Sequence, residues 1–242
     1  MGSCPPSWLP PKSSSRPCAC PDPVAVRTAV VLSHTDIAHE LGHLEPWLVR
    51  NDYRIERIYR EHAPALPSAD LLIVMGSPTS VASGHCAPAA QDEIDAVADW
   101  LRNGRPYLGL CFGAQVLARA GGGEVTRMPS TYRGFHDLAL EGVQGPTLDG
   151  PWLVWHDDSI TAPSDADVIA RLPHADLAFR IGDAWGLQPH IEVSPESLQR
   201  MAVALGASAD VYGPLVSSMT VSGASASGRV DQFLDAAFGA RA

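Results

Sequence analysis

One lysine, Lys12, stands in 242 residues, and basic side chains total 17 against 27 acidic ones, a net charge of −10. That balance argues against a nucleic-acid phosphate backbone or an anionic membrane surface as partner. Aromatic residues are scarce at 7%, and no apolar run approaches the roughly 18–20 residues of a membrane span. A soluble protein is expected. Cysteines number five, too few and too scattered for a disulfide framework, so a reducing cytoplasm is the expected compartment.

Residues 1–23 hold seven of the 21 prolines, five serines and Cys4, Cys18 and Cys20. No apolar stretch there resembles a signal peptide. Gly2 lacks the serine or threonine that myristoylation needs, because Pro6 occupies the position. Cys18 and Cys20 alone cannot complete a four-ligand zinc site. These residues read as a flexible leader, and deleting residues 1–20 is expected to leave the melting temperature nearly unchanged. Residues 24–242 read as one domain, whose 45% hydrophobic and 18% charged content for the whole chain is that of a globular protein.

From residue 26 onward, short apolar runs alternate with helical patterns. Val26–Leu32, Arg54–Tyr59, Asp70–Met75 and Pro106–Leu110 read as strands, β-branched or bounded by Gly, Pro and polar residues. Between the last two, Pro88–Asn103 carries Ile94, Val97, Ala98 and Leu101 on one face, which predicts a helix. Such alternation implies a mostly parallel, flavodoxin-like sheet in a three-layer α/β/α arrangement. Beyond residue 123 the pattern changes to shorter, more antiparallel segments: Glu124–Arg127, Asp137–Leu140, Trp152–Trp155, Val168–Arg171, Leu177–Ile181 and Ala184–His190. A helix capped by Ser194, with Pro195 first and Leu198, Met201 and Leu205 turned inward, should stop at Gly206. Ser217–Ser227 reads as low-complexity sequence before a last helix near Val230–Phe238.

The sharpest local signal is a hydrophobic strand running into Gly109-Leu-Cys111-Phe112-Gly113-Ala-Gln115. Small residues on both sides of Cys111 are what a tight strand-to-helix elbow requires, with the nucleophile in a strained backbone conformation at its tip. The sulfur then sits at a helix N-terminus, where unpaired N–H groups and the macrodipole favour negative charge. A buried structural cysteine is the plainer alternative. Among nine histidines, His190 stands at a predicted strand end with Glu192 two residues on. A period of two turns both side chains the same way, so the carboxylate can orient the imidazole.

That combination resembles the class I glutamine amidotransferases. The family's G-x-C-x-G-x-Q is matched from Gly109 to Gln115, and its H-P-E by His190-Ile191-Glu192. Asp70-Leu-Leu-Ile-Val-Met-Gly76-Ser77-Pro78-Thr79-Ser80-Val81 resembles the strand and Gly-Gly-Pro loop that supplies an oxyanion-hole amide. Trp155-His156-Asp157-Asp158-Ser159 resembles the W-H-x-D segment of stand-alone members. The resemblance implies that Cys111 attacks the side-chain amide of glutamine, that His190 delivers a proton to departing ammonia, and that Glu192 orients His190. It implies oxyanion donors at the N–H groups of Ser77 and Phe112, substrate contacts at Gly76 and Gln115, and no cofactor or metal. An ammonia acceptor would sit on a partner synthase subunit. Two residues depart from the pattern: Ile191 replaces the proline, and Ser77 replaces the second glycine, where a positive φ would strain a serine.

Three other readings remain open on the sequence. The same triad could hydrolyse γ-glutamyl peptides or conjugates; a non-catalytic binding module could retain the fold; an unrelated cysteine-elbow protein could share only the turn. A separate motif, His39-Glu40-Leu41-Gly42-His43, is a literal H-E-x-x-H, which binds zinc only when both histidines share one helical face. Pro46 argues against a helix through those residues, and no third ligand is marked, although Glu61 lies 18 residues after His43. A helix starting nearer Gly42 fits better.

Overall fold

The computed structural model describes residues 26–62, 65–82, 88–138, 148–222 and 226–239. The leader, the start of the predicted domain at residue 24 and Cys86 lie outside the described residues. Seven strands form one sheet in the order β2-β1-β3-β4-β9-β8-β7. They are β1 (Arg27–Ser33), β2 (Tyr53–Tyr59), β3 (Leu71–Val74), β4 (Tyr107–Leu110), β7 (Asp167–Leu172), β8 (Ala175–Ile181) and β9 (Ala184–Leu187). Strands β2, β1, β3, β4 and β9 run parallel, whereas β8 pairs antiparallel with both β9 and β7. β5 (Glu124–His136) and β6 (Trp152–Thr161) form a separate antiparallel pair.

Buried side chains alternate across the sheet, as strands covered on both faces require. Ala29 and Val31 of β1, Leu71 and Ile73 of β3, and Leu108 and Leu110 of β4 face one core, closed by Trp47 and Leu48 of α1 (Glu45–Arg50) and Val230, Phe233 and Leu234 of α6 (Ala226–Phe238). Val30, Leu32, Leu72, Val74 and Tyr107 face the other, closed by α2 (Pro88–Arg102) and α3 (Phe112–Ala120) through Ile94, Val97, Val116 and Leu117. The result is the three-layer α/β/α arrangement expected from the alternation.

α4 (Pro195–Ala204) begins as the sequence predicts: the Ser194 hydroxyl accepts from the Ser197 N–H, and Pro195 opens the first turn. Four expectations need correction. Leu205 faces solvent rather than the core, because α4 ends one residue earlier. The last helix, expected near Val230, starts earlier: α6 begins at Ala226, and a further helix, α5 (Ala209–Ser222), occupies the first half of the low-complexity stretch Ser217–Ser227. Asp137 and Leu138 are not in a strand, the remainder of that predicted segment lying outside the described residues. The strand through His190 ends at Leu187, and His190 makes an isolated bridge to Leu153 of β6 instead.

Candidate active site

Because β2, β1, β3, β4 and β9 are parallel, their carboxyl ends lie along one edge of the sheet. In an open α/β sheet this edge is where ligands bind. The edge collects Arg60 and Glu61 after β2, His34 after β1, Gly76 and Ser77 after β3, Cys111 after β4, and Gln188 and His190 after β9. β6 runs beside it and contributes Trp155 and His156.

Cys111 has φ 50° and ψ −103°, a left-handed backbone at a residue with a side chain. Such conformations persist only where their surroundings enforce them. Here the enforcement is steric. A Cβ on Gly109 would lie 2.4 Å from Gly113 C and O, and one on Gly113 would lie 2.1 Å from Val74 O. The buried Tyr107 hydroxyl donates to Gly113 O at 2.7 Å and ties the helix start to β4. The sharp elbow expected from G-x-C-x-G is therefore present.

Cys111 is 8% exposed and lines a cavity of about 380 Å³ with Gly76, Ser77, Gln115, Trp155, His156 and His190. Its Sγ lies 3.6 Å from the Trp155 carbonyl oxygen and accepts from Gln188 Nε2 at 3.5 Å. His190 adjoins it. A Cβ on Gly76 would stand 3.5 Å from His190 Cε1 and 3.8 Å from Cys111 Cβ. On the far side of the ring, His190 Nδ1 donates to Glu192 Oε1 at 2.7 Å, with both residues buried. Burial alone would push the imidazole toward neutrality. The charges of Glu192 and Cys111 and hydrogen bonds to both overcome it, and His190 titrates well above the usual histidine value.

The two backbone donors named by the resemblance, Ser77 N–H and Phe112 N–H, have no acceptor among the described residues. Ser77 is not a positive-φ residue, so the side chain in place of glycine introduces no backbone strain. Ile191 is fully buried in the sheet core. Gln115 is buried, and its Nε2 donates to Gln188 Oε1 at 3.4 Å.

Sequence reasoning missed Gln188, although it stands two residues before His190 and the same period of two pointed to it. It also missed the polar framework around the cavity. Arg127 pairs with Asp157 at 3.0 Å and with Asp158 at 3.3 Å, and Ser80 Oγ donates to Asp158 at 2.6 Å. His156 Nδ1 donates to the Asp158 carbonyl at 2.6 Å, and burial lowers the ring's affinity for a second proton. Its Nε2 is buried without a partner among the described residues.

The H-E-x-x-H residues do not share a helix. His39 and Glu40 precede a short 3-10 turn at Gly42–Leu44, from which α1 continues with Pro46 in its first turn. Glu40 is bound by Arg200 at 2.8 and 2.6 Å, and Glu61 by His34. Among the described residues no three His, Cys, Asp or Glu side chains cluster as metal ligands.

A family model described as glutamine amidotransferase class-I matches residues 33–201. The chain belongs to the class I glutamine amidotransferases. It is 34% identical over 139 residues to a glutamine-hydrolyzing GMP synthase of Aeropyrum pernix, an overlap of 53% of this chain and 25% of the relative. A GMP synthase of Thermus thermophilus is 31% identical over 176 residues, covering 67% of this chain and 32% of its own length. The amidotransferase chain thus spans about a quarter to a third of these curated relatives. A solved glutamine amidotransferase from Thermotoga maritima superimposes with a TM-score of 0.73 over 87% of this chain and 97% of its own, at 20% identity, a likeness of fold. No helix among the described residues of this amidotransferase is long and apolar enough to cross a membrane.

Proposed function

We propose that this class I amidotransferase domain hydrolyses the side-chain amide of glutamine through a γ-glutamyl thioester on Cys111. The observation that carries this reading is the placement of a positive-φ cysteine beside an imidazole whose other nitrogen is held by a buried carboxylate. Cys111 attacks the amide carbon. Ser77 N–H and Phe112 N–H receive the developing oxyanion, an interaction worth about 10²–10³ in rate per donor. His190 protonates the leaving ammonia and then deprotonates the water that cleaves the thioester, with Glu192 fixing its tautomer. Gly76 leaves open the space between sulfur and ring, and Gln115 lines the substrate cavity.

Released ammonia would pass to a synthase partner, in keeping with the glutamine-hydrolyzing synthases among the relatives. A second reading is hydrolysis of γ-glutamyl peptides or conjugates by the same groups, since these share with glutamine the α-carboxylate that the cavity can receive. Arg133 lines the cavity stacked 4.8 Å from the Trp155 ring centroid and pairs with no carboxylate among the described residues. It is therefore open to a substrate carboxylate. Ammonia release from glutamine, assayed beside a panel of γ-glutamyl peptides with Cys111→Ala as control, separates the cases. Turnover of glutamine supports the first, turnover of the peptides alone supports the second, and equal background in wild type and variant leaves a binding module.

A further inference from the structure

The Gly76–Ser77 peptide is gripped from two sides by groups outside the triad. On the carbonyl side, Arg60 Nη1 donates to Gly76 O at 3.2 Å and Nη2 donates to Met75 O at 3.0 Å. The guanidinium is itself clamped by Glu93 at 2.9 and 3.0 Å and lies 4.8 Å from the centroid of the Phe112 ring. A trans peptide points its C=O and N–H in opposite directions. With the oxygen bound to Arg60, the Ser77 N–H is directed away from it.

On the side-chain side, His34 Nδ1 lies 2.6 Å from Glu61 Oε1, and His34 Nε2 lies 2.9 Å from Ser77 Oγ. Burial would raise the Glu61 carboxyl. Hydrogen bonds from its own backbone N–H, from His34 and from Thr35 N–H bring it below its usual range, so it is an acceptor only. The imidazole proton facing it therefore sits on Nδ1. In the neutral ring Nε2 then accepts, and the Ser77 hydroxyl donates to it. Thr79 N–H at 3.1 Å and the Thr79 hydroxyl at 2.8 Å occupy the two lone pairs of Ser77 Oγ. One proton and two lone pairs are all a hydroxyl has, so the orientation of Ser77 is fully determined.

We propose that Glu61, His34 and Ser77 form a relay that, opposite Arg60, locks the Gly76–Ser77 peptide with its N–H toward the sulfur, making His34 and Arg60 positioning residues for the oxyanion hole. This rests on the amidase reading above. The relay explains how a serine serves at this position. Glycine would leave the loop free to sample other conformations, whereas a bonded hydroxyl freezes it before substrate arrives, and preorganised donors stabilise charge without reorganising.

Two measurements on the full chain test it, using His34→Ala, Ser77→Ala and the double variant; Ser77→Ala retains the backbone N–H. The first is amide hydrogen exchange across residues 76–79. The Thr79 amide, which donates to Ser77 Oγ, is expected to exchange at least tenfold faster in each variant, with the double no faster than Ser77→Ala, because one relay is broken in all three. Glu61→Gln, whose side-chain oxygen still accepts from Nδ1–H, is expected to lose less protection than Glu61→Ala. The second is turnover: kcat should fall about tenfold or more with KM unchanged, short of the 10²–10³ that follows loss of a whole donor. Alkylation of Cys111 by iodoacetamide builds no oxyanion and should stay within a factor of two of wild type. Unchanged exchange overturns the proposal. So does faster exchange with kcat intact, or a loss of alkylation equal to the loss of turnover, which would mark general damage. If the wild type turns over neither glutamine nor any γ-glutamyl compound while its thiol alkylates normally, the amidase reading fails, and the exchange arm alone decides whether the relay holds the loop.

Discussion

The Nδ1 of His190 lies 2.7 Å from Oε1 of Glu192, with both side chains almost entirely out of water. A carboxylate buried this deeply is retained at a cost that its partner must offset, and its second oxygen has no hydrogen-bond partner among the described residues. The pair is thus poised to hold one tautomer of the imidazole. Glu192→Gln keeps the shape and removes the charge. It is expected to lower kcat by about 10²–10⁴, the range spanned by acid–base contributions, while circular dichroism remains that of wild type. Equal turnover would remove Glu192 from the mechanism.

The same pair predicts a pH dependence. His190 titrates above its unfolded value, so its charged form stabilises the fold fully below about pH 6.5, the unfolded pKa. That contribution is lost as pH rises through the folded pKa. In Cys111→Ser, which removes the coupled thiol, an NMR titration of the His190 ring should still show a pKa above 6.5. Adding Glu192→Gln should bring it down, since burial then acts without its main opponent. A His190 value that does not respond to Glu192→Gln would contradict the assignment.

Gly113 sits where a Cβ would be 2.1 Å from Val74 O, a backbone atom unable to step aside alone. Gly113→Ala should separate the elbow helix from β3 and destabilise the protein by about 1–3 kcal/mol or more, the usual cost of overpacking. Denaturant unfolding checks the stability, and iodoacetamide reactivity of Cys111 should change with it. Gly104 has open space around it, but its φ of 62° makes an alanine there a test of backbone strain alone. Gly104→Ala should therefore cost stability while leaving thiol reactivity untouched.

Arg60 and Glu93 form an ion pair with side chains 10% and 8% exposed. Arg60→Met leaves the Glu93 carboxylate buried and unpaired, which costs about 3–5 kcal/mol. Replacing both partners with apolar residues should recover much of that loss. If the double variant is no more stable than the single one, the pair is not acting as a buried ion pair.

Much of this architecture is legible in the sequence because local rules and the tertiary fold agree there. The strand at Leu71–Val74 is apolar on both faces because helices cover both faces, and Ser194 with Pro195 marks a helix start by chemistry alone. The elbow was visible since only glycine tolerates the contacts at 109 and 113. Other parts depend on distant partners. α5 carries a single charge, Asp210, and a proline at 214, so no polar stripe betrays its face. Its Leu215, Val216 and Met219 find their place only against Leu153, Val193 and Leu198. β6 runs longer than the sequence suggests because Asp157 and Asp158 read as loop-like charges until they are seen to pair with Arg127 of β5. His34 and Arg60 belong to no motif, and only the sheet edge brings them to Ser77 and Gly76.

The most direct test of the account is mass spectrometry of the protein quenched in acid during turnover of glutamine. The account predicts one γ-glutamyl unit on the peptide that contains Cys111, accumulating further in Glu192→Gln and absent from Cys111→Ala. An unmodified Cys111 in every sample, with ammonia nonetheless released at the wild-type rate by Cys111→Ala, would contradict it.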